Sequence, residues 1–149
     1  MGKPIVDLIT DNLLTTLQGV TTVAGYHYTL TVAHHDKVEG DAPVDKLCIL
    51  YRGDTESELD EAPQGCQQWR QAYSLVCYAF ATQSSTDAPD EKASTIGADV
   101  CKALQTDYTR GGYALDTIID VPELLAGGNG IIVNFTVRDQ TRFSDPFTL

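Results

Sequence analysis

Residues 130–146 have the sequence G-I-I-V-N-F-T-V-R-D-Q-T-R-F-S-D-P, which carries the clearest periodic pattern in the chain. One set of alternate positions is apolar and consists of Ile131, Val133, Phe135 and Val137. The other set is mostly polar and consists of Ile132, Asn134, Thr136, Arg138, Gln140 and Arg142. Because successive side chains of a strand point to opposite faces, the pattern predicts a half-buried antiparallel strand with one dry and one wet face.

Two other stretches have the spacing of amphipathic helices. Apolar residues recur at helical intervals over residues 4–17, with Pro4 suited to the first turn and Gly19 to the stop. A second helix is predicted to begin at the polar cluster 84–87 and to end near Thr106. Gly97 interrupts the apolar stripe of this helix, and it either lets the helix approach a sheet closely or weakens the helix.

Four further segments are predicted to be strands. Residues 26–38 and 47–51 are rich in aromatic and β-branched side chains. Residues 67–83 form a long strand whose second half is apolar on both faces, so it is expected to be central or to meet a partner subunit. Residues 114–121 alternate and are followed by G-G-N-G at 127–130, which predicts a hairpin with the last strand.

The resulting order of elements is α-β-β-β-α-β-β with short connections. It predicts an α+β domain in which a mainly antiparallel sheet of about five strands carries two helices packed on one face. A chain of 149 residues suits one domain spanning residues 1–149. No apolar run approaches the ~20 residues of a membrane span, so we expect no membrane partner and a protein that stays in the cytoplasm where it is made.

Charge and cysteine content exclude several classes of function. A net charge of −11 with dispersed basic residues argues against a surface that grips nucleic acid, because phosphate binding needs a basic stripe. The four cysteines are widely spaced and lack any C-x-x-C pattern, so reduced core thiols are favoured over disulfides or a metal site. They are Cys48, Cys66, Cys77 and Cys101.

No constellation of residues predicts catalysis. His34-His35-Asp36, joined by His27, could ligate a metal, but adjacent histidines on a strand point to opposite faces, which favours a surface strand end. Asp116 and Asp120 would lie about 13 Å apart at the rise of a strand, too far for a carboxylate pair. We therefore predict no enzyme activity, no metal and no cofactor. A small enzyme or ligand-binding domain with scattered residues His27, His34 and Tyr113 stays an open alternative.

Two charged regions are candidates for an interface between subunits. The first is an acidic segment predicted to be a solvated loop between two strands, with Asp54, Glu56, Glu58, Asp60 and Glu61. The second is the basic end of the last strand, with Arg138 and Arg142. The acidic segment could face such a basic strand end across an interface, or it could be a solubility loop on an outer rim.

The order of elements and the C-terminal sequence V-N-F-T-V-R-D-Q-T-R-F-S-D-P resemble the tail terminator proteins of long-tailed bacteriophages. The resemblance covers nearly the whole chain. It implies a structural virion protein, made in the host cytoplasm, that forms a ring of usually six copies in the tail or neck region. Such a ring caps the tail tube, ends its polymerisation and presents a surface to the head connector.

The partners that this resemblance implies are other copies of the chain, the tail tube protein and a head-closure or connector protein. DNA would pass through the channel of the ring without specific binding, because an acidic lumen repels phosphates. A different neck or minor tail protein, such as a head-closure protein, has the same kind of small α+β ring and stays an alternative.

Overall fold

The computed structural model describes residues 3–34, 44–57, 66–80 and 88–142, apart from the side chains of residues 57, 66, 67 and 140–142. Within these ranges there are two helices, α1 (Ile5–Gln18) and α2 (Pro89–Thr106). The same ranges contain six strands, which are β1 (Thr31–His34), β2 (Leu47–Ser57), β3 (Cys66–Tyr78), β4 (Asp116–Ile119), β5 (Glu123–Leu124) and β6 (Gly130–Arg142). The predicted α+β class is confirmed.

The strands form one mixed sheet in the order β1-β2-β3-β6-β4, and β5 also pairs with β6. β1 runs parallel to β2, whereas every other pairing is antiparallel. The prediction of a mainly antiparallel sheet is therefore confirmed, but the described part of the chain has six strands where about five were expected. The additional strand is β5, which lies beyond Pro122, where the predicted fourth strand ends, and was not predicted from the sequence.

The last strand, β6, pairs with β3 along its whole length, from Gly130 opposite Tyr78 to Arg142 opposite Cys66. Its predicted dry face is confirmed, because Val133, Phe135 and Val137 are at most 1% exposed. Phe135 also stacks on Tyr73 of β3, with ring centroids 5.4 Å apart. The alternate side chains from 132 to 138 are half-buried.

Both helices share one hydrophobic core with this dry face. The buried core residues include Ile9, Leu13 and Leu17 of α1 together with Ile96, Val100 and Leu104 of α2. The two helices contact each other, and α2 contacts β6. A Cβ atom on Gly97 would lie 2.6 Å from Ile131 Cδ1. Glycine at this position therefore allows the close approach of α2 to β6, which decides between the two readings of Gly97.

Several predicted boundaries differ from the structure. The first strand, predicted over residues 26–38, is a strand only over Thr31–His34, and residues 35–38 lie outside the described part. β3 ends at Tyr78 and β4 is confined to Asp116–Ile119. Aromatic and β-branched composition marks residues that favour strands, but a partner strand is needed to make one. The helix start predicted at 84–87 also lies outside the described residues.

The predicted glycine turn at residues 127–130 is present, but it joins β5 to β6, whereas the prediction had it join the fourth strand to the last one. Leu125 N–H donates to the Gly130 carbonyl at 2.9 Å, so the turn closes β5 onto β6. Gly127 and Gly128 have φ values of +88° and +74°, a conformation that glycine adopts without strain. The predicted pairing of the fourth strand with the last strand is confirmed, since β4 pairs with β6.

The acidic segment is not a loop at its beginning. β2 continues to Ser57, so Asp54 and Glu56 lie within a strand, whereas residues 58–65 lie outside the described part. A register shift between Arg52 and Thr55 marks a β-bulge, beyond which β2 resumes its pairing with β3. Backbone pairing with β3 thus overrides the low strand preference of acidic side chains. No helix in the described ranges is long and apolar enough to cross a membrane.

Candidate functional site

Beyond the bulge, β2, β3 and β6 run on together as a three-stranded extension of the sheet. Thr55 lies opposite Gln71, and Gln71 lies opposite Val137. Two residues further out, Ser57 lies opposite Trp69, and Trp69 lies opposite Asp139. Because side chains alternate along each strand, Trp69, Gln71 and Asp139 continue the face that carries the hydrophobic core.

A cavity of about 340 Å³ lies on this face of the extension, and we call it the Asp139 cavity. Its lining consists of Pro4, Val6, Arg52, Gly53, Thr55, Trp69, Gln71 and Asp139. Pro4 and Val6 belong to the N-terminal end of α1, so the helix supplies one wall and the sheet supplies the other. The volume lies at the lower end of the range of small-ligand sites, which is roughly 300–1,000 Å³.

The polar wall of the cavity is held in place by hydrogen bonds around Gln71. The Gln71 side-chain amide donates to the carbonyls of Gly53 and Ala72 at 2.7 Å and 3.0 Å. The Thr55 hydroxyl in turn donates to the Gln71 side-chain oxygen. These bonds tie the bulge of β2 to β3, so the donors of Gln71 and Thr55 are already used within the chain.

Arg52 lies at the rim of the cavity and is paired with α1. Its guanidinium donates to Asp7 Oδ1 at 2.8 Å, and the two side chains are 40% and 41% exposed. An ion pair this exposed adds little stability, typically below ~1 kcal/mol. Its consequence is local, because Asp7 balances the positive charge that Arg52 would otherwise place beside the cavity.

Asp139 is the buried charged group of this cavity. It is 4% exposed, and its Oδ1 atom has no hydrogen-bond partner in the part of the chain that the structure describes. Burial raises the pKa of Asp139 to about 6, partly offset by a hydrogen bond from its own backbone amide. A buried carboxylate oxygen without a donor is energetically costly, which makes it a strong acceptor for any donor that enters the cavity.

The alternating pattern of β6 contains a signal for Asp139, which was not among the predicted site residues. The dry face of β6 continues from Val137 to position 139, so the alternation already places this aspartate on the core side. In the same way, Gln71 falls on the face shared by Trp69 and Tyr73. A polar residue that falls on the apolar face of a strand is therefore a sequence signal for a buried site.

The candidate interface residues that the structure describes lie on the other face of the same extension. Pairing across the sheet places Glu56 opposite Arg70, Arg70 opposite Arg138, and Arg138 opposite Asp116. These four residues form one transverse row, which we call the charged row. Arg138 forms a two-pronged ion pair with Asp116, with Nε–Oδ1 and Nη2–Oδ2 distances of 2.8 Å and 2.5 Å. The structure thus brings Glu56 and Arg138 into one surface.

Of the remaining interface candidates, Asp54 has a described side chain, and it is exposed at the bulge of β2. Glu58, Asp60 and Glu61 lie outside the described residues, and the side chain of Arg142 is also outside them, although its backbone belongs to β6.

Each residue of the alternative enzyme-like site has a defined place in the fold. His27 Nδ1 lies 2.9 Å from Asp99 Oδ1, and Asp99 also accepts the backbone N–H groups of His27 and Tyr28. Asp99 is 3% exposed, so it fastens this segment to α2. His34 ends β1, and Tyr113 packs against the hydrophobic core. The described ranges contain no group of three His, Cys, Asp or Glu side chains that could hold a metal ion.

Three cysteines are free thiols on the core side of the molecule. Cys48 and Cys77 are buried opposite each other on β2 and β3, and Cys101 is half-buried on α2. A hydrogen bond with Cys48 and burial together raise the pKa of the Cys77 thiol well above its usual value. The raised pKa keeps the Cys77 thiol protonated and unreactive at neutral pH. The side chain of Cys66 lies outside the described part.

No family model matches the chain. No curated protein matches it.

Proposed function

We propose that the protein is a structural component of a long-tailed bacteriophage and acts by assembly, as a tail terminator that forms a ring on the end of the tail tube. The observation that carries this proposal is the outer face of the sheet, defined as the face opposite the Tyr73–Phe135 side. A protein that works by assembly needs an ordered surface of this kind, and it turns over no substrate.

The outer face combines an apolar part with a charged part. Val76 of β3 and Ile132 of β6 lie side by side on this face. Ile49 of β2 is the next residue across the sheet, but it is only 7% exposed and is already buried within the chain. Val76 and Ile132 are half-buried although they belong to the two central strands. The charged row crosses the same face further along the strands. In the proposal, both helices cover the opposite face of the sheet, so that this face is left for a neighbouring subunit.

These two parts have different physical roles in an interface. Burial of the apolar part supplies affinity, at roughly 25 cal/mol per Å² of apolar surface removed from water. The charged row has the order negative, positive, positive, negative from Glu56 to Asp116. Such an order rewards one register of the neighbouring subunit and penalises others, which is how charges set partner choice.

The net charge of the chain suits a ring around DNA. Each copy carries −11, so a ring of several copies would repel the phosphates of a genome that passes through it. The proposed partners are other copies of the chain, the tail tube protein and a head-closure or connector protein. The proposed location is the tail or neck region of the virion.

A phage that lacks the gene tests the biological role. We expect its tails to grow beyond normal length and its heads and tails to fail to join. Tails of normal length that cannot join heads would instead indicate a head-closure protein. Tails of normal length that join heads would show that the protein has neither role.

A pair of charge-reversal variants of the purified protein tests the surface. Glu56→Lys changes the charged row, whereas Asp54→Lys makes the same change of charge on the same strand but at the bulge. We expect Glu56→Lys to impair ring formation on tail tubes, seen by negative-stain microscopy, and Asp54→Lys to leave it intact. Circular dichroism should show both variants folded. Equal ring formation by both variants would contradict the role of the charged row.

A further inference from the structure

We propose that the Asp139 cavity is a binding site for a compact organic cation, in which an alkylammonium or guanidinium group donates to Oδ1 of Asp139 and its hydrocarbon part lies against Trp69 and Val6. This inference goes beyond the proposed role in tail assembly and does not depend on it. It follows from the buried carboxylate, from the lack of a donor to its Oδ1 atom among the described residues, and from the apolar walls.

The hydrogen-bond acceptor of the proposed site is Oδ1 of Asp139. Asp139 is 4% exposed, it lines the cavity, and its Oδ1 atom has no hydrogen-bond partner among the described residues. A carboxylate oxygen can accept hydrogen bonds but cannot donate them when ionised. The complementary group is therefore a donor, and a positively charged donor gives the stronger, charge-assisted bond.

The hydrogen-bond donors Gln71, Thr55 and Arg52 line the cavity and bond to other groups of the chain. Gln71 donates to two backbone carbonyls, and the Thr55 hydroxyl donates to Gln71. The guanidinium of Arg52 donates to Asp7 at 2.8 Å. Among the described residues, no side chain donates to Oδ1 of Asp139, so the proposal takes the donor from a bound cation.

The size and the apolar lining of the cavity suit a short hydrocarbon chain. A cavity of about 340 Å³ has room for roughly ten times the ~30 Å³ that one water molecule occupies in the liquid, enough for a short hydrocarbon chain with a head group. Pro4, Val6 and Trp69 offer apolar surface to such a chain. The indole of Trp69 also favours a cation over a neutral group, because its π face is electronegative.

An anionic ligand is the rival interpretation, since Arg52 and the N-terminal end of α1 would attract a negative charge. Asp7 lies in the first turn of α1 and pairs with Arg52, so it offsets both attractions. Asp139 would repel an anion directly. The charges around the cavity therefore favour a cation.

The cationic group could come from a free small amine or from a lysine or arginine side chain of a neighbouring copy. Both sources present the same chemistry to Asp139, namely an N–H donor on a hydrocarbon stem. They differ in whether the site binds in isolation or links subunits.

Fluorescence titration tests the site directly, because Trp69 is the single tryptophan of the chain. The probes are n-hexylammonium and n-butylguanidinium at pH 8, with n-hexanol and hexanoate as controls of matched size. We expect saturable binding of both cations, at least tenfold tighter than that of hexanol, and no binding of hexanoate. Hexanoate or hexanol binding as tightly as the cations would overturn the proposal, as would the absence of saturable cation binding.

Two variants assign the binding to this cavity. Asp139→Asn keeps the shape of the side chain and should weaken cation binding at least tenfold while hexanol binding is unchanged. Asp54→Asn removes an exposed carboxylate of β2 and should have no effect. Cation binding that is undiminished in Asp139→Asn would overturn the proposal.

A second substitution keeps the test decisive if Asp139→Asn fails to fold. Val6→Phe fills the cavity from the helix side and should abolish binding of both cations and hexanol. Unchanged binding in this variant would place the ligand elsewhere and overturn the proposal.

Sedimentation with and without n-hexylammonium distinguishes the two sources. Self-association that the amine reverses identifies a basic side chain of a neighbouring copy as the natural occupant. A protein that stays monomeric at every concentration, yet binds the amine, identifies a free small amine.

Discussion

Lys92 Nζ lies 2.7 Å from Asp45 Oδ2, and this ion pair joins α2 to the segment that leads into β2. The lysine side chain is 2% exposed and also donates to the Phe80 carbonyl at 3.2 Å. Asp45 completes the connection by accepting the backbone N–H of Phe80 at 2.9 Å. Three segments that are distant in the sequence thus meet at one buried charge pair.

Replacing Lys92 by Met should destabilise the protein by about 2–4 kcal/mol, because Asp45 would remain in a partly buried place without its countercharge. Burial is the largest single influence and raises the pKa of Asp45, but the hydrogen bonds from Lys92 and from the Phe80 backbone, together with the charges of Lys92 and Lys46, lower that pKa below the usual 3.8. The stabilisation is therefore present above pH 3.8 and is lost as the pH falls through the lowered value.

Urea unfolding at pH 7 and pH 3 measures the effect of Lys92→Met. The control is Lys102→Met on the exposed side of the same helix, which should change the free energy of unfolding by less than ~1 kcal/mol. An equal loss in the two variants would show that the Lys92–Asp45 pair has no special role.

Replacing Phe135 by Ala should cost about 3–5 kcal/mol, because the ring is fully buried and stacks on Tyr73. Thr136→Ala, one residue further along β6, removes a half-buried side chain from the outer face and should cost below ~1 kcal/mol. Chemical denaturation of the two variants gives the comparison. A similar small loss for both would contradict the assignment of Phe135 to the core.

Gly97→Ala should destabilise the protein by about 1–2 kcal/mol, although alanine is the better helix former by ~1 kcal/mol. The reason is the 2.6 Å distance between the new Cβ and Ile131 Cδ1. Ile131→Val removes that Cδ1 atom, so the double variant should be no less stable than Ile131→Val alone. A double-mutant cycle from urea unfolding measures this coupling. Additive losses would show that the two residues do not compete for the same space.

Asp139→Asn should stabilise the protein at pH 8 by about 2–3 kcal/mol. Burial raises the pKa of Asp139 from 3.8 to about 6, so the folded protein binds its proton more tightly than the unfolded chain does. Stability of the wild type therefore falls as the pH rises from about 4 to about 6, and it stays lower above that range. Among the described residues, the charged or titratable groups near Asp139 are Arg52 of β2, its partner Asp7 of α1 and Tyr73 of β3.

Thermal melts of wild type and Asp139→Asn between pH 3.5 and pH 8 check this expectation. The gain in the melting temperature should be absent near pH 4, grow between about pH 4 and pH 6, and stay constant above that range. Asp54→Asn, at an exposed carboxylate, should show no such dependence. A gain that is the same at every pH would exclude the titration of Asp139 as its cause.

The sequence pattern predicted those helices and strands that pack one side against the core along their whole length. α1 and the dry face of β6 repeat at 3.6 and 2.0 residues because one side of each contacts the core along its whole length. β2 was predicted too short, since its second half is polar on both faces and is held by backbone bonds to β3. The parallel direction of β1 also escaped the pattern, because strand direction depends on the path of the connecting segment.

Only some residues of the candidate sites could be predicted from the sequence. Glu56 and Arg138 were singled out by their charge, but their place in one row depends on the register of four strands. Asp139 was passed over, although its alternation with Val137 marked it as a core-facing residue. Its burial follows from the neighbouring α1 wall, and no local pattern reports on a wall that comes from residues more than a hundred positions away.

The sequence by itself determined the α+β class, the two helices and the dry face of the last strand, because local periodicity and burial are read along a single element. Only the tertiary structure decided that Lys92 meets Asp45, that Gly97 touches Ile131, and that a cavity forms around Asp139. Each of these depends on how elements from different parts of the chain pack together. The physical reason is that side-chain spacing fixes which face of an element is dry, whereas register and packing between elements fix what that face contacts.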